Sequence, residues 1–215
     1  MIAIVPIRSG SKGISNKNIK PFNEKPLIWW TLNALEKSNI NKVIVASDSH
    51  QYLNLIKDFK FNKVNLYKRN TINSTDEAST ESVLLEVISS LNLNNDIMLV
   101  QATSPLTTPK DFNKGIKLYK DYDSILSVVK QKRFIWDNKG RPINYNYKKR
   151  PRRQDWEGYL VENGAFYINS SSNILKYENR LSGDIGVCEM DEVNYHEIDS
   201  IQDWVLLENI QKLKK

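Results

Sequence analysis

Residues 2–18 read IAIVPIRSGSKGISNKN, an apolar run followed by a loop rich in glycine, serine and cations. The apolar run, Ile2–Ile7, lacks polar alternation and is typical of a strand buried on both faces of a sheet. The loop, Arg8–Asn18, holds two glycines, three serines and three cationic side chains, and no acid. A buried strand leading into such a loop indicates a parallel α/β sheet. The loop itself is either an anion-binding site or an ordinary solvated turn.

Short apolar runs and amphipathic helical patterns alternate along most of the chain. The runs predict further strands at Lys42–Ser47, Val64–Lys68, Asp96–Gln101, Asp123–Val129, Ala165–Ser170 and Asp184–Met190. The helical patterns predict helices at Pro26–Ser38, around Tyr52–Phe59, and at Ser74–Leu91, Thr107–Lys120 and Ser200–Lys215. This alternation predicts an α/β fold with a mostly parallel sheet covered on both faces. We expect one domain over residues 1–215.

Residues 131–160 break the alternation with a basic and aromatic segment, which we call the arm. From Lys130 to Arg153 there are ten Lys or Arg and one Asp, a net charge of +9; since the whole chain carries +6, the rest carries −3. A turn signal near Asn138–Gly140 indicates one or two hairpins projecting from the sheet. Such a composition suits RNA binding or a dimer interface. The negative remainder favours a local anionic partner over general nucleic-acid binding.

The composition excludes several classes of protein. The chain has 215 residues, of which 40% are hydrophobic and 26% charged, as in a soluble globular protein. It has no apolar run of 18 residues and no basic segment before a long apolar stretch, so we expect no membrane span, no secretory signal and a cytoplasmic location. One cysteine, Cys188, rules out an internal disulfide, and two histidines disfavour a zinc site. A bound metal would be a hard cation on carboxylates.

The loops at the carboxyl ends of the strands are the candidate site, because ligands of open α/β sheets bind there. The loop Arg8–Asn18 matches neither G-x-x-x-x-G-K-[ST] nor G-x-G-x-x-G. Its glycines, Gly10 and Gly13, would let backbone N–H groups approach an anion that the three cationic side chains, Lys12 among them, would neutralise.

Two later segments carry polar side chains suited to the same edge of the sheet. Gln101 is followed by Ala-Thr-Ser-Pro, which is either a ligand contact or a plain Ser-Pro turn at the end of a strand. Glu197 and Asp199 alternate along an extended segment and would point to one side, where they could share a magnesium ion. Alternatively, Asp199 caps the helix that begins near Ser200.

Five segments together resemble the acylneuraminate cytidylyltransferases, also called CMP-sialic acid synthetases, over essentially the whole chain. They occur in the order and at the spacing of that family, at Ile7–Lys20, Gln101–Pro105, Lys149–Gly158, Glu162–Tyr167 and Glu197–Trp204. The arginine-rich run that leads into Asn163-Gly164 is the most specific of them. It is similar to the branch that includes the animal enzymes, in which Lys149–Arg153 also resembles a nuclear-import patch.

The resemblance implies a Rossmann-like, three-layer nucleotidyltransferase fold and a homodimer in which the arm of one subunit reaches its partner. It implies that CTP and sialic acid, an acidic nine-carbon sugar, react to CMP-sialic acid and pyrophosphate with Mg²⁺ as cofactor. The anomeric hydroxyl of the sugar would attack the α-phosphorus, a reaction that needs positioning and charge neutralisation more than covalent catalysis. Neither a nucleic acid nor a membrane is implied as a partner.

The resemblance also assigns roles to individual residues. Triphosphate contacts are implied for Arg8, Ser11 and Lys17, with Gly10 beside them. Nucleoside contacts are implied for Asn18, Arg69 and Thr80. Sugar contacts are implied for Gln101, Arg153 and Tyr167. Metal ligation is implied for Asp199 and Glu197, and the residues implied in catalysis are Arg8, Lys17, Gln101 and Asp199.

Two positions depart from the family pattern. Glu197 stands where the family usually has a second Asp, so the charge is kept but moved by one methylene. Thr107 stands where many bacterial relatives have an Arg after Ser-Pro-Leu, so the resemblance does not assign it a phosphate or sugar contact.

Three alternative functions stay open in the sequence. The same chemistry could act on legionaminic, pseudaminic or another 2-keto acid sugar. An RNA-binding protein would use the arm, and an inactive relative would only bind nucleotide.

Overall fold

The structure is a computed structural model that describes residues 1–10, 13–70 and 79–213. The strands in these ranges are β1 (Ile2–Ile7), β2 (Pro21–Phe22), β3 (Lys25–Pro26), β4 (Lys42–Ser47), β5 (Val64–Lys68), β6 (Asp96–Val100), β7 (Ser124–Gln131), β8 (Tyr159–Ser170) and β9 (Ile185–Met190). The helices are α1 (Leu27–Glu36), α2 (His50–Lys57), α3 (Thr80–Ser90), α4 (Pro109–Leu118), α5 (Ser171–Tyr177) and α6 (Ile201–Leu213). None of these helices has the length and apolar character needed to cross a bilayer.

Seven strands form one sheet in the order β5-β4-β1-β6-β8-β7-β9. All neighbouring pairs are parallel except those of β8, which runs antiparallel to both β6 and β7. The central strand β1 therefore ends between the carboxyl ends of β4 and β6. The mostly parallel sheet predicted from the alternation of apolar runs is confirmed.

Helices cover both faces of the sheet, as the unbroken apolar strands predicted. On one face Val5 of β1 lies in a core with Leu32 of α1 and Phe112 of α4. On the other face its neighbour Ile4 lies in a second core with Val87 of α3. All five side chains are buried, and each such side chain contributes about 1.5–3 kcal/mol to stability relative to an exposed one. The result is a three-layer α/β fold.

The hairpin of β7 and β8 extends further than the sequence predicted. The predicted strands Asp123–Val129 and Ala165–Ser170 continue to Gln131 and back to Tyr159, so that Gln131 pairs with Tyr159. In the sequence the apolar residues Tyr159–Val161 are separated from Ala165 by Glu162-Asn163-Gly164, so the pattern does not indicate one continuous strand. Part of the segment predicted as an arm is therefore sheet.

Between β7 and β8 the chain forms a smaller hairpin within the arm. Trp136 pairs with Pro142 across a turn in which Arg141 Nε donates to Asp137 Oδ2 at 2.7 Å. The aromatic rings stack on one another, and the centroids of Phe134 and Tyr145 lie 4.2 Å apart. The stacked rings give the arm a local order of its own.

Helix ends differ from prediction by a few residues, for reasons visible in their caps. The helix predicted at Thr107–Lys120 begins at Pro109 because Thr108 and Asp111 form a reciprocal capping box. The helix predicted at Ser74–Leu91 is described from Thr80, where the Ser79 side chain accepts from Ser82 N. The part of that prediction before Ser79 lies outside the described residues.

Candidate active site

A cleft of about 520 Å³ opens at the carboxyl ends of β1, β5 and β6. Side chains from five separated segments of the sequence meet there. Eight of the predicted site residues line it: Arg8, Lys17, Asn18, Arg69, Thr80, Gln101, Glu197 and Asp199. The predicted residue Ser11 and its neighbour Lys12 lie outside the described residues.

The opening loop is held from the neighbouring strand and helix. Asp48, just beyond β4, accepts from the backbone N–H of Ser9 at 2.9 Å and from its hydroxyl at 2.8 Å. Tyr52 of α2 donates to Asn16 Oδ1 at 3.0 Å, where the backbone of Asn16 is left-handed with φ of 53°. The loop is thus built into the sheet edge, unlike a freely solvated turn.

Asn18, predicted to contact the nucleoside, also supports the loop itself. Its side chain is buried, and its amide Nδ2 donates to the carbonyl oxygen of Arg8 at 3.1 Å. This contact ties the end of the loop to its beginning. The backbone of Arg8 is thereby held at the carboxyl end of β1, where Arg8 lines the cleft.

Lys17 joins the opening loop to the segment that carries the two carboxylates. Its ammonium donates to the carbonyl oxygen of Ile198 at 2.6 Å and to Asp199 Oδ1 at 3.1 Å. The Lys17 side chain is 14% exposed, whereas that of Asp199 is 69% exposed. The carboxylate therefore stays open to the cleft while the lysine stem is packed.

Glu197 and Asp199 face the cleft from either side of Ile198, as their alternation predicted. Ile198 is fully buried and its N–H donates to the carbonyl oxygen of Thr103 at 2.9 Å, which fixes the segment. The Thr103 hydroxyl donates to Glu197 Oε2 at 3.3 Å. Burial, and then the charge of Asp199, raise the pKa of Glu197. The two carboxylates therefore interact electrostatically, and both could supply oxygen ligands to a metal ion.

Asp199 does not cap the C-terminal helix, which was the alternative reading of that residue. The cap of α6 is formed by Ser200 and Asp203. Ser200 N donates to Asp203 Oδ2 at 2.8 Å, and Asp203 N donates back to Ser200 Oγ at 3.2 Å. The Asp199 side chain instead contacts Lys17 and lines the cleft.

A bulge in β8 makes room for two of the site residues. The pairing with β7 shifts from Leu126↔Tyr167 to Val128↔Glu162, and Gly164 lies in the shift with φ of 69°. A Cβ on Gly164 would lie 3.3 Å from Glu197 Oε2 and 3.8 Å from Gln101 Nε2. A glycine therefore suits this position for both its backbone angle and its lack of a side chain.

Arg69, just beyond β5, is a buried cation that lines the cleft. It is 6% exposed, and its Nη1 donates to the carbonyl oxygen of Ile7 at 3.5 Å. Its Nε has no hydrogen-bond partner among the described residues. Burial lowers the pKa of the guanidinium, and the nearby charges of Asp48 and Glu86 oppose that effect. Buried polar groups in proteins are nearly always paired, so this unpaired donor distinguishes Arg69 from the rest of the cleft lining.

The two glycines predicted to serve the phosphate have different surroundings. A Cβ on Gly13 would overlap the backbone carbonyl oxygen of Asp199, so Gly13 is required by the close approach of two chain segments. A Cβ on Gly10 would have no described atom within 4 Å. The loop geometry therefore explains the first glycine and leaves the second unexplained.

Tyr167, assigned to the sugar side, does not line the cleft of this chain. It is 3% exposed and belongs to the core beneath α3. Its hydroxyl donates to Glu162 Oε1, and the Arg180 guanidinium stacks 4.8 Å from its ring centroid. Burial, followed by the Glu162 contact, raises its pKa well above the usual range. The hydroxyl is thus engaged within the protein.

Arg153, the other distant member of the predicted sugar group, lies on the arm. It lines a separate, exposed groove of about 530 Å³ with Phe134 and Arg150. The Arg150 guanidinium stacks 4.6 Å from the ring centroid of Phe134. Arg153 is therefore not part of the cleft formed by its own chain.

Thr107, one of the two positions that depart from the family pattern, has a structural role. It is 5% exposed, and its hydroxyl donates to the carbonyl oxygen of Ser104 at 2.9 Å.

Three residues near the cleft received no role from the sequence: Asp48, Thr103 and Gly164. An Asn-Gly pair within a strand is a signal for a bulge, whereas Asp48 and Thr103 act through contacts distant in sequence.

Comparison with known proteins identifies the family. The profile of the family described as Cytidylyltransferase matches residues 2–215. The chain is 32% identical over 205 residues to N-acylneuraminate cytidylyltransferase B of Danio rerio, covering 91% of this chain and 46% of that protein. It is 26% identical over 231 residues to CMP-N,N'-diacetyllegionaminic acid synthase of Legionella pneumophila, covering 100% of this chain and 97% of that protein.

A solved structure supports the fold independently. The structure of CMP:2-keto-3-deoxy-manno-octonic acid synthetase complexed with CTP has a TM-score of 0.74 and 14% sequence identity, and covers 100% of this chain and 99% of that one. The nucleotidyltransferase fold predicted from the sequence is confirmed by this likeness. The chain spans about half the length of the first curated relatives it matches. As its sequence motifs predicted, the chain belongs to the cytidylyltransferase family.

Proposed function

We propose that this protein transfers the cytidylyl group of CTP to the anomeric hydroxyl of a sialic acid and releases pyrophosphate. The observation that carries the proposal is the joining of Lys17 to Asp199 in a cleft of the cytidylyltransferase fold. This contact places a cation of the kind that binds phosphate and a carboxylate of the kind that binds a metal ion in one site. Such a pairing suits nucleotidyl transfer, which depends on charge neutralisation and alignment.

The triphosphate would lie against the opening loop. Arg8 and Lys17 supply positive charge at the carboxyl end of β1, and Ser11 is the third residue assigned there by resemblance. Arg69, Thr80 and Asn18 line the same cleft and are the residues that the resemblance assigns to the nucleoside. In this arrangement Arg8 and Lys17 would neutralise the leaving pyrophosphate.

Asp199 and Glu197 would hold Mg²⁺, which prefers a few carboxylate oxygens together with water and phosphate. Their fit rests on the donor set, since both face the cleft and the Asp199 charge acts on Glu197. No group of three or more His, Cys, Asp or Glu in the described ranges could hold a metal, so substrate oxygens would complete the ligand set. A bound Mg²⁺ would neutralise phosphate charge and ease deprotonation of the attacking hydroxyl.

The reaction needs no protein nucleophile. The sugar hydroxyl gives up its proton to solvent as its oxygen bonds to the α-phosphorus, the bond from that phosphorus to the oxygen that bridges to the β-phosphate breaks, and pyrophosphate leaves. Cys188, the single thiol of the chain, is fully buried, and burial raises its pKa to about 11. It is therefore a core residue. Gln101, at the end of β6 and beside the bulge, would orient the sugar through its amide.

The sugar side of the site would be completed in a homodimer. Arg153 lies on an exposed arm and not in the cleft of its own chain, so a second copy would supply it. Mixing Arg153→Ala chains with Asp199→Asn chains tests this directly. If the arm acts on the partner, mixed dimers contain one intact site and regain activity. If Arg153 acts within its own chain, the mixture stays as inactive as either variant alone.

The physiological acid sugar has a second candidate. The legionaminic acid synthase of Legionella pneumophila matches this chain over 97% of its own length. The same cleft would serve such a sugar, because the phosphate chemistry is unchanged.

The decisive experiment measures pyrophosphate release from CTP with a panel of acids: sialic, legionaminic, pseudaminic and 2-keto-3-deoxy-octonic acid. We expect release that requires the acid and Mg²⁺ together, fastest with sialic acid. Turnover with none of these acids would refute the proposal. RNA binding that is strong, salt-dependent and lost with Arg152→Ala would support the RNA-binding alternative instead.

A further inference from the structure

The position of Arg69 in the cleft depends on contacts behind it. Its backbone N–H donates to the carbonyl oxygen of Ser47 at 2.9 Å, which continues the pairing of β5 with β4. The next residue, Asn70, is the last before the stretch 71–78 that lies outside the described residues. Whatever fixes Asn70 therefore fixes the direction in which the Arg69 side chain leaves the sheet.

Glu86 of α3 makes that contact. Its Oε1 accepts from the backbone N–H of Asn70 at 2.7 Å and from the Tyr67 hydroxyl at 3.1 Å. One carboxylate thus clamps the end of β5 on both sides of Arg69. A carboxylate needs such partners when it is buried, and Glu86 is only 9% exposed.

Glu86 also acts on Arg69 through charge. The guanidinium is buried, and the carboxylates of Asp48 and then Glu86 favour its ionised form. An arginine stays charged in a protein, so these carboxylates offset the cost of burying the charge and do not decide its protonation. Glu86 therefore both holds the end of β5 and compensates part of the burial of the guanidinium, whose Nε has no hydrogen-bond partner among the described residues.

We propose that Glu86 is a positioning residue for the nucleotide: through Asn70 and Tyr67 it sets Arg69 so that the buried guanidinium meets the cytidine part of the ligand. The inference rests on the proposed function, because it takes the ligand of this cleft to be a cytidine nucleotide. Glu86 does not line the cleft and would touch no substrate.

Glu36 offers a matched control at the other end of the same strand. From α1 its two carboxylate oxygens accept from the backbone N–H groups of Asn62 and Lys63, each at 3.0 Å. It therefore clamps a loop in the same manner as Glu86, but before β5 and at the opposite edge of the sheet from the cleft. A purely structural role of Glu86 would make the two substitutions equivalent for ligand binding.

The test compares Glu86→Ala, Glu86→Gln and Glu36→Ala with the wild type by calorimetric binding of CTP, CMP and pyrophosphate without sugar. We expect Glu86→Ala to raise the Kd for CTP and CMP about tenfold, as for one lost charged contact, and to leave pyrophosphate binding unchanged. Glu86→Gln keeps the acceptor oxygen and should recover part of the loss. Glu36→Ala should bind all three ligands like the wild type.

Each outcome separates the inference from the proposed function. Equal CTP binding by wild type and Glu86→Ala would overturn the role of Glu86 while leaving the proposed function intact. Equal weakening of CMP and pyrophosphate would also overturn it, because it would indicate general disorder of the site. A wild type that binds no CTP would refute both. If Glu86→Ala does not fold, Glu86→Gln and Tyr67→Phe replace it in the comparison. We expect each of them to weaken CMP binding, but less than complete removal of the carboxylate would.

Discussion

The Lys17 ammonium lies 3.1 Å from Asp199 Oδ1, joining residues 182 positions apart in the sequence. The same ammonium donates to the carbonyl oxygen of Ile198 at 2.6 Å. The contact makes the opening loop and the two-carboxylate segment one unit. Lys17 neutralises the carboxylate that we propose for the metal, so a bound cation and the lysine would compete for Asp199. Triphosphate would then give Lys17 a second anionic partner.

Asp199→Asn should separate activity from stability. The Asp199 side chain is 69% exposed, so loss of its ion pair should cost at most about 1 kcal/mol of unfolding free energy. Turnover should fall at least about 100-fold, because the variant would no longer hold the Mg²⁺ that we propose to neutralise charge at the reacting phosphate. Thermal melting and pyrophosphate release measure the two effects. A variant with unchanged turnover would remove Asp199 from the mechanism.

Gly13→Ala should destabilise the protein even without ligand. The new Cβ would overlap the Asp199 carbonyl oxygen, and backbone on both sides leaves little room to relax. We expect a loss of about 1–3 kcal/mol of unfolding free energy, as for other overpacked sites. Gly10→Ala is the control, since no described atom would lie within 4 Å of its Cβ. Equal denaturation midpoints for the two variants would contradict the assignment.

Much of this site could be predicted because it lies at the ends of strands. An apolar run identifies a strand, and residues that follow parallel strands meet at one edge of the sheet. Arg8 and Gln101 were found in this way, and Asp199 by its alternation with Glu197; their roles were assigned by resemblance. The roles themselves, the Mg²⁺ ion, the homodimer and the cytoplasmic location stay predictions.

Other features depend on distances that a sequence does not contain. Tyr167 was assigned to the sugar, yet its hydroxyl is engaged by Glu162 in the core. Asp48 resembles any polar residue after a strand until its two bonds to Ser9 are seen. Glu86 reads as an ordinary helix residue, because its partners come from β5 and the turn after it. The roles of these residues depend on tertiary contacts, which no local sequence pattern shows.

Asp48→Ala should weaken binding of the phosphate part of the ligand selectively. Asp48 accepts twice from Ser9, and these bonds hold the first turn of the opening loop. Without them we expect the Kd for pyrophosphate and CTP to rise about tenfold, and that for CMP to change much less. This pattern is the reverse of the one expected for Glu86→Ala. Ser9→Ala, which removes only the hydroxyl contact, should show a smaller effect of the same kind, and a loss confined to CMP would contradict this role.

Arg180→Met should lower stability at neutral pH but not in acid. Arg180 Nε donates to Glu81 Oε1 at 2.6 Å, and the two side chains are only 20% and 24% exposed. Burial raises the pKa of Glu81, but the bonds from Arg180 and the backbone outweigh it, so the net pKa is lowered. A lowered carboxyl pKa contributes stability above the unfolded value, about 4.3, and this is lost as the pH falls through the folded value.

The difference in unfolding free energy between wild type and Arg180→Met should therefore be about 2 kcal/mol at pH 7 and shrink steadily below about pH 4. Urea denaturation at a series of pH values measures it. Lys130→Met serves as the control, because Lys130 and Glu189 lie 3.8 Å apart with both side chains nearly half exposed. That exposed pair should contribute little at any pH. A difference for Arg180→Met that stays constant from pH 7 to pH 3 would show that the residue stabilises by packing on Tyr167 and not through Glu81.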